Sequence, residues 1–319
     1  MRESRLPITV LIFIDGLGWG PPDPATNPQR AYGGEVFRLP DAAMASAAPV
    51  PAFGGGWARA IDAVLGVPGI PQSATGQTTL LTGVNSQAAI GRHLTGFPNE
   101  ALRAILLEHS VLRTLTRRGV PARFLNAFRP RFWELSREKQ LTLSATTVAN
   151  LAADLPFFTL DDVATGRSIY QDFTNADLIG RGFDLRPLTA GQAGHVLGRA
   201  ARAGGFTLYE YFLSDKAGHT GDAAVVAGEL VKLDAFVRAV LAELHDDLAR
   251  GDAQVLLTSD HGNLEDATTR RHTTNPVPFF LWGKGARETA AAVARLDQVA
   301  PAIVARHVAP AGGGVNPPR

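Results

Sequence analysis

Two short apolar runs, Ile8–Ile14 and residues 253–257, decide most of what this chain can fold into. The first is continuous and rich in β-branched residues, the pattern of a central strand covered on both faces. Each run leads into potential metal ligands: Asp15 closes the first, and Asp260 and His261 follow the second after Thr258 and Ser259. Strands covered on both faces need helices above and below, so the pattern predicts an α/β fold. A carboxylate beside an imidazole at a strand's C-terminal end offers hard and borderline ligands on a rigid support. A divalent metal site in an α/β sheet is commonly seeded this way.

Other stretches offer related chemistry in chain order. After Asp15 come Gly16, Gly18 and Gly20, which let backbone approach a bound ion or phosphate closely. Residues 21–56, thick in Pro, Gly and Ala, read as an irregular surface excursion, and 57–65 as a short helix. Pro68, Gly69 and Pro71 then place Ser73 at a helix N-terminus, where exposed amides and the dipole favour an alkoxide and the phosphate it attacks. Asp215 and His219 stand four apart just after an apolar strand at 205–213, on one side of a helical turn and within reach of one ion. His272 precedes a proline-fixed entry into a strand at 277–282.

Between these stretches the texture changes. Residues 91–204 alternate helical patterns (99–118, 136–154, 189–203) with a short strand (122–126) and carry no cluster of metal ligands. They are expected to form a smaller inserted α+β cap between two parts of a core, 1–90 and 205–319. Arg92, His93, Arg129 and Arg131 are its candidates for substrate contacts, against the alternative of solvated surface arginines. Residues 222–250 read as a long crossover helix, 296–308 as helical, and the Gly/Pro-rich end from Pro310 as loose.

Composition narrows the chemistry. The 31 basic and 30 acidic residues nearly cancel, so no bulk field draws the chain to nucleic acid or an anionic membrane. Without cysteine, ligands come from Asp, Glu, His and hydroxyl groups. The apolar run at 8–14 is too short to span a membrane and lacks a cleavage signal, so a soluble cytoplasmic protein is expected.

The motifs carry a resemblance. Asp215-Lys-Ala-Gly-His219-Thr-Gly, Thr258-Ser-Asp260-His261-Gly-Asn263 and His272-Thr-Thr-Asn-Pro-Val-Pro278 look like three metal-binding motifs of cofactor-independent phosphoglycerate mutase, a member of the alkaline phosphatase superfamily. Phe13-Ile14-Asp15-Gly16 and Ser73-Ala-Thr-Gly76 resemble that family's first ligand strand and nucleophile turn. The resemblance implies an alkaline-phosphatase-like core with a doubly wound, mostly parallel sheet and helices on both faces. It also implies two divalent ions, Mn²⁺ or Zn²⁺, one held by Asp215, His219 and His272 and the other by Asp15, Asp260, His261 and the Ser73 oxygen. Ser73 would be the nucleophile.

Departures from the family set the order of expectations. The mutase insert carries a His-Ser-Asp-Gly-Gly-Val-His-Ser-His motif that is absent here, and Gln77 stands where its nucleophile turn has a histidine. A phosphomonoesterase or phosphodiesterase working through a phosphoserine on a small phosphate ester is therefore the first reading. A phosphomutase, phosphoglycerate- or phosphopentomutase-like, is the second. A non-catalytic, metal-stabilised binding protein is the third, distinguished by closed coordination shells. The Cys/Ser-x-Pro-x-Arg setting of sulfatases is missing.

Overall fold

The computed structural model describes residues 6–308 except 39, 41–45 and 47, so the expected loose end from Pro310 lies outside the described residues. Strands β1 (Ile8–Ile14), β2 (Val50–Ala52), β3 (Gly56–Ile61), β4 (Ala122–Phe124), β5 (Gly205–Tyr211), β6 (Ala253–Thr258) and β7 (Val277–Gly283) form one sheet in the order β2-β3-β7-β6-β1-β5-β4. β1 lies in the interior of the sheet, parallel to β5 on one side and β6 on the other, so Ile8 pairs with both Gly205 and Ala253. β4 continues the parallel set beside β5, while β7, β3 and β2 add antiparallel pairs on the far side. The sheet is thus mixed, with a parallel centre, and its helices cover both faces.

The alternation of β1 explains the layers. Val10, Ile12 and Ile14 point into one core with the helices Ala190–Ala201 and Ala223–Glu243; Leu11 and Phe13 point into a second. The second core is roofed by Ser73–Thr82, Glu100–His109, Val111–Thr116, Ala145–Ala152 and Val299–His307. All seven β1 residues are buried, and each large aliphatic among them stabilises the fold by roughly 1.5–3 kcal/mol. The crossover from β5 to β6 passes over one face and leaves β1 between them, which brings three strand ends together at one edge.

Several expected elements differ. Residues 57–65 do not form a helix: β3 occupies 56–61, paired antiparallel with β7 from Trp57↔Leu281 to Ile61↔Val277. Its Ala and Arg residues favour a helix locally, but pairing and the burial of Ala58 and Ile61 override that preference. The helix expected over 99–118 breaks at Ser110, whose side chain caps the following helix by accepting from Arg113 N and donates to Ala149 O. Those over 136–154 and 222–250 are likewise divided, the second at Leu244.

Residues 91–204 share the main sheet as well as standing near its edge. β4 lies within them, and Leu106, Leu112, Leu115 and Val148 enter the second core. The excursion at 21–56 is pinned inward: Asp234 Oδ1 accepts the Glu35 and Val36 amides at 2.8 Å each, and Val36 and Phe37 are buried. Among the described residues no helix is long and apolar enough to cross a membrane.

Candidate metal centre and nucleophile

The C-terminal ends of β1, β5 and β6 are adjacent, so the loops that follow them meet although β1 ends at Ile14, β5 at Tyr211 and β6 at Thr258. β1 leads into Asp15, whose amide donates to Tyr211 O at 2.9 Å and whose carbonyl accepts from Ser214 Oγ at 2.6 Å. Gly16 follows with φ +70°, and a Cβ there would lie 2.8 Å from Asp215 Oδ1 and 2.9 Å from Asp215 Cα. Only glycine permits that approach. The helix Leu213–Thr220 carries Asp215 and His219 on one face, as their spacing predicts.

Ser73 is the first residue of the Ser73–Thr82 helix, with Gln72 in the capping position, so its hydroxyl is not used as a cap. Its Oγ instead lies 3.0 Å from His261 Nε2. The same nitrogen is 3.2 Å from Asp15 Oδ1 and 3.5 Å from Asp260 Oδ2. A second set of short distances joins Asp215, His219 and His272: 3.3 Å from Asp215 Oδ2 to His219 Nε2, 3.4 Å from Asp215 Oδ1 to His272 Nε2, and 3.2 Å between the two Nε2 atoms. The His261 and His272 rings stack at 3.7 Å, so His261 stands between the two sets. Donor atoms of Asp15, Asp260 and His261, and of Asp215, His261 and His272, lie within 4.8 Å of one another.

Three features fit these residues to divalent cations. First, donors sharing one ion at bonds of about 2.1 Å stand roughly 3.0–3.4 Å apart, close to the spacings here. Second, Asp15 Oδ1 and Asp260 Oδ2 are buried without a hydrogen-bond partner, a costly arrangement unless a positive charge faces them. Third, His219 Nδ1 faces Arg270 O at 2.7 Å and His272 Nδ1 faces Pro71 O at 3.2 Å. A carbonyl requires the proton on Nδ1, which leaves each Nε2 lone pair directed at the cluster, as in a ligating imidazole.

The electrostatics carry the same strain. Burial, then repulsion from Asp260, pushes Asp15 well above the usual carboxylate range. Burial would lower the His261 imidazolium, but Asp260 and the contact with Asp15 raise it to about 10. Asp215 is held low despite its burial, chiefly by His272 and then by the charge of His261.

A cavity of about 660 Å³ opens beside this cluster, lined by Asp15, Ser73 and Asp215 and by Arg129 and Arg131 among others. Arg92 and His93 do not line it; His93 Nε2 lies 3.0 Å from Val67 O instead. Several residues to which the sequence assigned no supporting role hold the cluster in place. Gln77 donates to Asp15 Oδ2 at 3.0 Å, Asn263 donates to Asp215 Oδ1 at 2.8 Å, and Glu265 accepts the amides of Gly18 and Asn263. Asn263 and Glu265 were within reach of inspection, since they flank Asp260 and His261. Glu210, a buried acid inside β5 that lines the cavity, had no such neighbour to mark it.

Comparison with known proteins agrees with this geometry. Residues 198–311 match the family described as the Metalloenzyme superfamily. The fold resembles that of alkaline phosphatase from the Antarctic bacterium TAB5 (13% identity, 95% of this chain and 98% of that one, TM-score 0.50). A Pyrococcus horikoshii protein is similar to the same extent (12% identity, 94% and 97%, TM-score 0.50). Residues 198–311 are thus similar to the Metalloenzyme superfamily, and the chain as a whole has the fold seen in alkaline phosphatase.

The curated relatives similar to part of this chain include 2,3-bisphosphoglycerate-independent phosphoglycerate mutases. That of Francisella philomiragia is 33% identical over 101 residues, 30% of this chain and 19% of the relative. That of Francisella tularensis subsp. tularensis is 29% identical over 132 residues, 38% and 25%. The chain spans a quarter or less of the length of these two relatives.

Proposed function

We propose that this chain is a two-metal phosphoryl-transfer enzyme that hydrolyses small phosphate esters with Ser73 as nucleophile. The observation that carries the reading is the position of Ser73 Oγ, at a helix start and 3.0 Å from His261 Nε2, among buried carboxylate oxygens that lack partners. In the proposed ligand sets Asp215, His219 and His272 hold one ion, and Asp15, Asp260, His261 and Ser73 Oγ the other; the donor set suits Mn²⁺ or Zn²⁺. When bound, the ions would supply Lewis-acid charge that lowers the pKa of the serine hydroxyl and neutralises the phosphoryl oxygens.

The chain's own residues then have distinct tasks. Ser73 Oγ attacks phosphorus, the bond from phosphorus to the alcohol oxygen breaks, and the alcohol leaves with that electron pair and a proton. Water next attacks the phosphoserine, restoring the hydroxyl and releasing inorganic phosphate. The helix N-terminus at Ser73 favours the anionic group throughout. Gln77 and Asn263 fix the orientation of Asp15 and Asp215 by hydrogen bonds to Asp15 Oδ2 and Asp215 Oδ1.

One observation favours a second reading. Arg129 and Arg131 line the same cavity as Ser73, and a phosphomutase needs such cations to keep an anionic intermediate from leaving. The discriminating assay supplies Mn²⁺ or Zn²⁺ with a panel of phosphomonoesters, phosphodiesters and sugar phosphates, and scores free phosphate separately from isomerised product. Hydrolysis predicts free phosphate in step with substrate loss. Ser73→Ala should reduce turnover at least about 10³-fold while most metal stays bound; undiminished turnover in that variant removes the proposed nucleophile.

A further inference from the structure

The cavity beside Ser73 has three zones of different chemistry. Arg131 and Lys216 are exposed at its rim, with Arg129 partly so. Its wall is aromatic: ring centroids of Phe124 and Phe128 are 6.2 Å apart and those of Phe128 and Phe132 4.5 Å. At its buried side lies Glu210, 6% exposed, whose Oε2 accepts a hydrogen bond from Thr146 Oγ1 at 2.6 Å. Register places Glu210 opposite Phe13 of β1, on the sheet face shared with the Ser73 helix. None of the wall residues or Glu210 belongs to the proposed ligand sets.

Each zone selects differently. The rim cations attract an anion from solution at long range, which suits the phosphoryl group. The phenyl part of the wall gains by covering flat apolar surface. A second anion entering the pocket would lose its hydration beside a carboxyl group, and above about pH 7, where that group is ionised, like charges in such a place repel strongly.

Resting on the phosphoryl-transfer reading, we infer that the alcohol half of the substrate is uncharged and ring-bearing, and that Glu210 excludes phosphorylated hydroxy acids. This specificity comes from the wall and the buried acid together, and it separates the chain from an enzyme built around a carboxylate-bearing substrate.

The test measures binding of three phosphonates to the Mn²⁺-loaded protein by calorimetry at about pH 8, where Glu210 is ionised: ethylphosphonate, 2-phenylethylphosphonate and 3-phosphonopropionate. None is turned over, so the readout is independent of catalytic rate. The phenylethyl compound should bind about 10- to 100-fold tighter than the ethyl one, and the carboxylate compound no tighter than the ethyl one. Phe128→Ala, or Phe128→Leu where the smaller residue impairs folding, should shrink the phenylethyl-to-ethyl ratio to roughly threefold or less. Glu210→Gln should leave that ratio and improve binding of 3-phosphonopropionate about tenfold.

Equal affinity for the ethyl and phenylethyl compounds overturns the inference and leaves the phosphoryl-transfer reading standing. So does tightest binding of 3-phosphonopropionate, which would mean that the rim arginines dominate. Failure of every phosphonate to bind overturns the phosphoryl-transfer reading and the inference with it.

Discussion

Glu265 sits where solvent does not reach and is fully engaged. Oε2 accepts the amides of Gly18 and Asn263, and Oε1 accepts from the side chains of Thr273 and Asn275. It thereby ties the glycine loop after β1 to the segment that carries Asp260, His261 and His272. Glu265→Ala leaves four donors without an acceptor and should cost about 3–5 kcal/mol, read from urea midpoints; a loss under about 1 kcal/mol would contradict this role. Glu210 gives a pH prediction. Burial raises its carboxyl from 4.5 to about 7, Thr146 opposes the rise and Asp260 adds to it. Between those values the folded chain holds a proton that the unfolded chain has lost, so stability falls as pH climbs, by about 3 kcal/mol in total from this group. Urea midpoints compared at about pH 5 and about pH 8 should therefore fall less for Glu210→Gln than for the parent. Neither acid was legible in its role from sequence. The candidate ligands stand in short motifs at strand ends, whereas Glu210 is a single charge in an apolar run and Glu265 follows a motif without belonging to it.

The helix that begins at Ser73 shows how an element serves the site through one missing side chain. Gly76 has ordinary helical geometry, and alanine there would raise helix propensity by roughly 1 kcal/mol. An added Cβ, however, would lie 2.6 Å from Asp260 O and 3.0 Å from Asp260 Cβ, and a backbone oxygen can yield only if the β6 loop moves. Gly76→Ala should therefore destabilise by about 1–3 kcal/mol and weaken Mn²⁺ binding several-fold, checked by thermal melts and metal titration. A more stable variant with unchanged affinity would show that the close approach is not needed. Elements divided into legible and illegible by how much of their signal was local. β1 and β6 announced themselves through buried apolar runs. β3 did not, because Trp57, Ala58, Arg59 and Ala60 read as helix until β7, more than two hundred residues away, pairs with them. The break at Ser110 was hidden for a similar reason, since its hydroxyl also reaches Ala149 O on a helix further along the chain.

At the scale of the whole molecule, Asp15, Asp215 and Asp260 are gathered at one sheet edge, and their mutual repulsion is a standing cost that bound cations would relieve. Saturating Mn²⁺ should raise the melting temperature, by an amount equivalent to about 2.7 kcal/mol at a hundredfold excess over Kd, and EDTA should reverse it. Identical melts with and without chelator would remove both proposed ions. The doubly wound sheet was legible because few architectures cover both faces of such strands. The share of residues 91–204 in that sheet was not, because a three-residue edge strand leaves almost no trace in sequence. The central order β6-β1-β5 also governs timing. During synthesis Asp15 emerges long before Asp215 and Asp260, so neither proposed ligand set is complete until β5 and β6 have followed β1. Capture of the proposed cations would then be a late event on a scaffold that already holds its three central strands, and a product ending before Asp260 would lack both proposed sites.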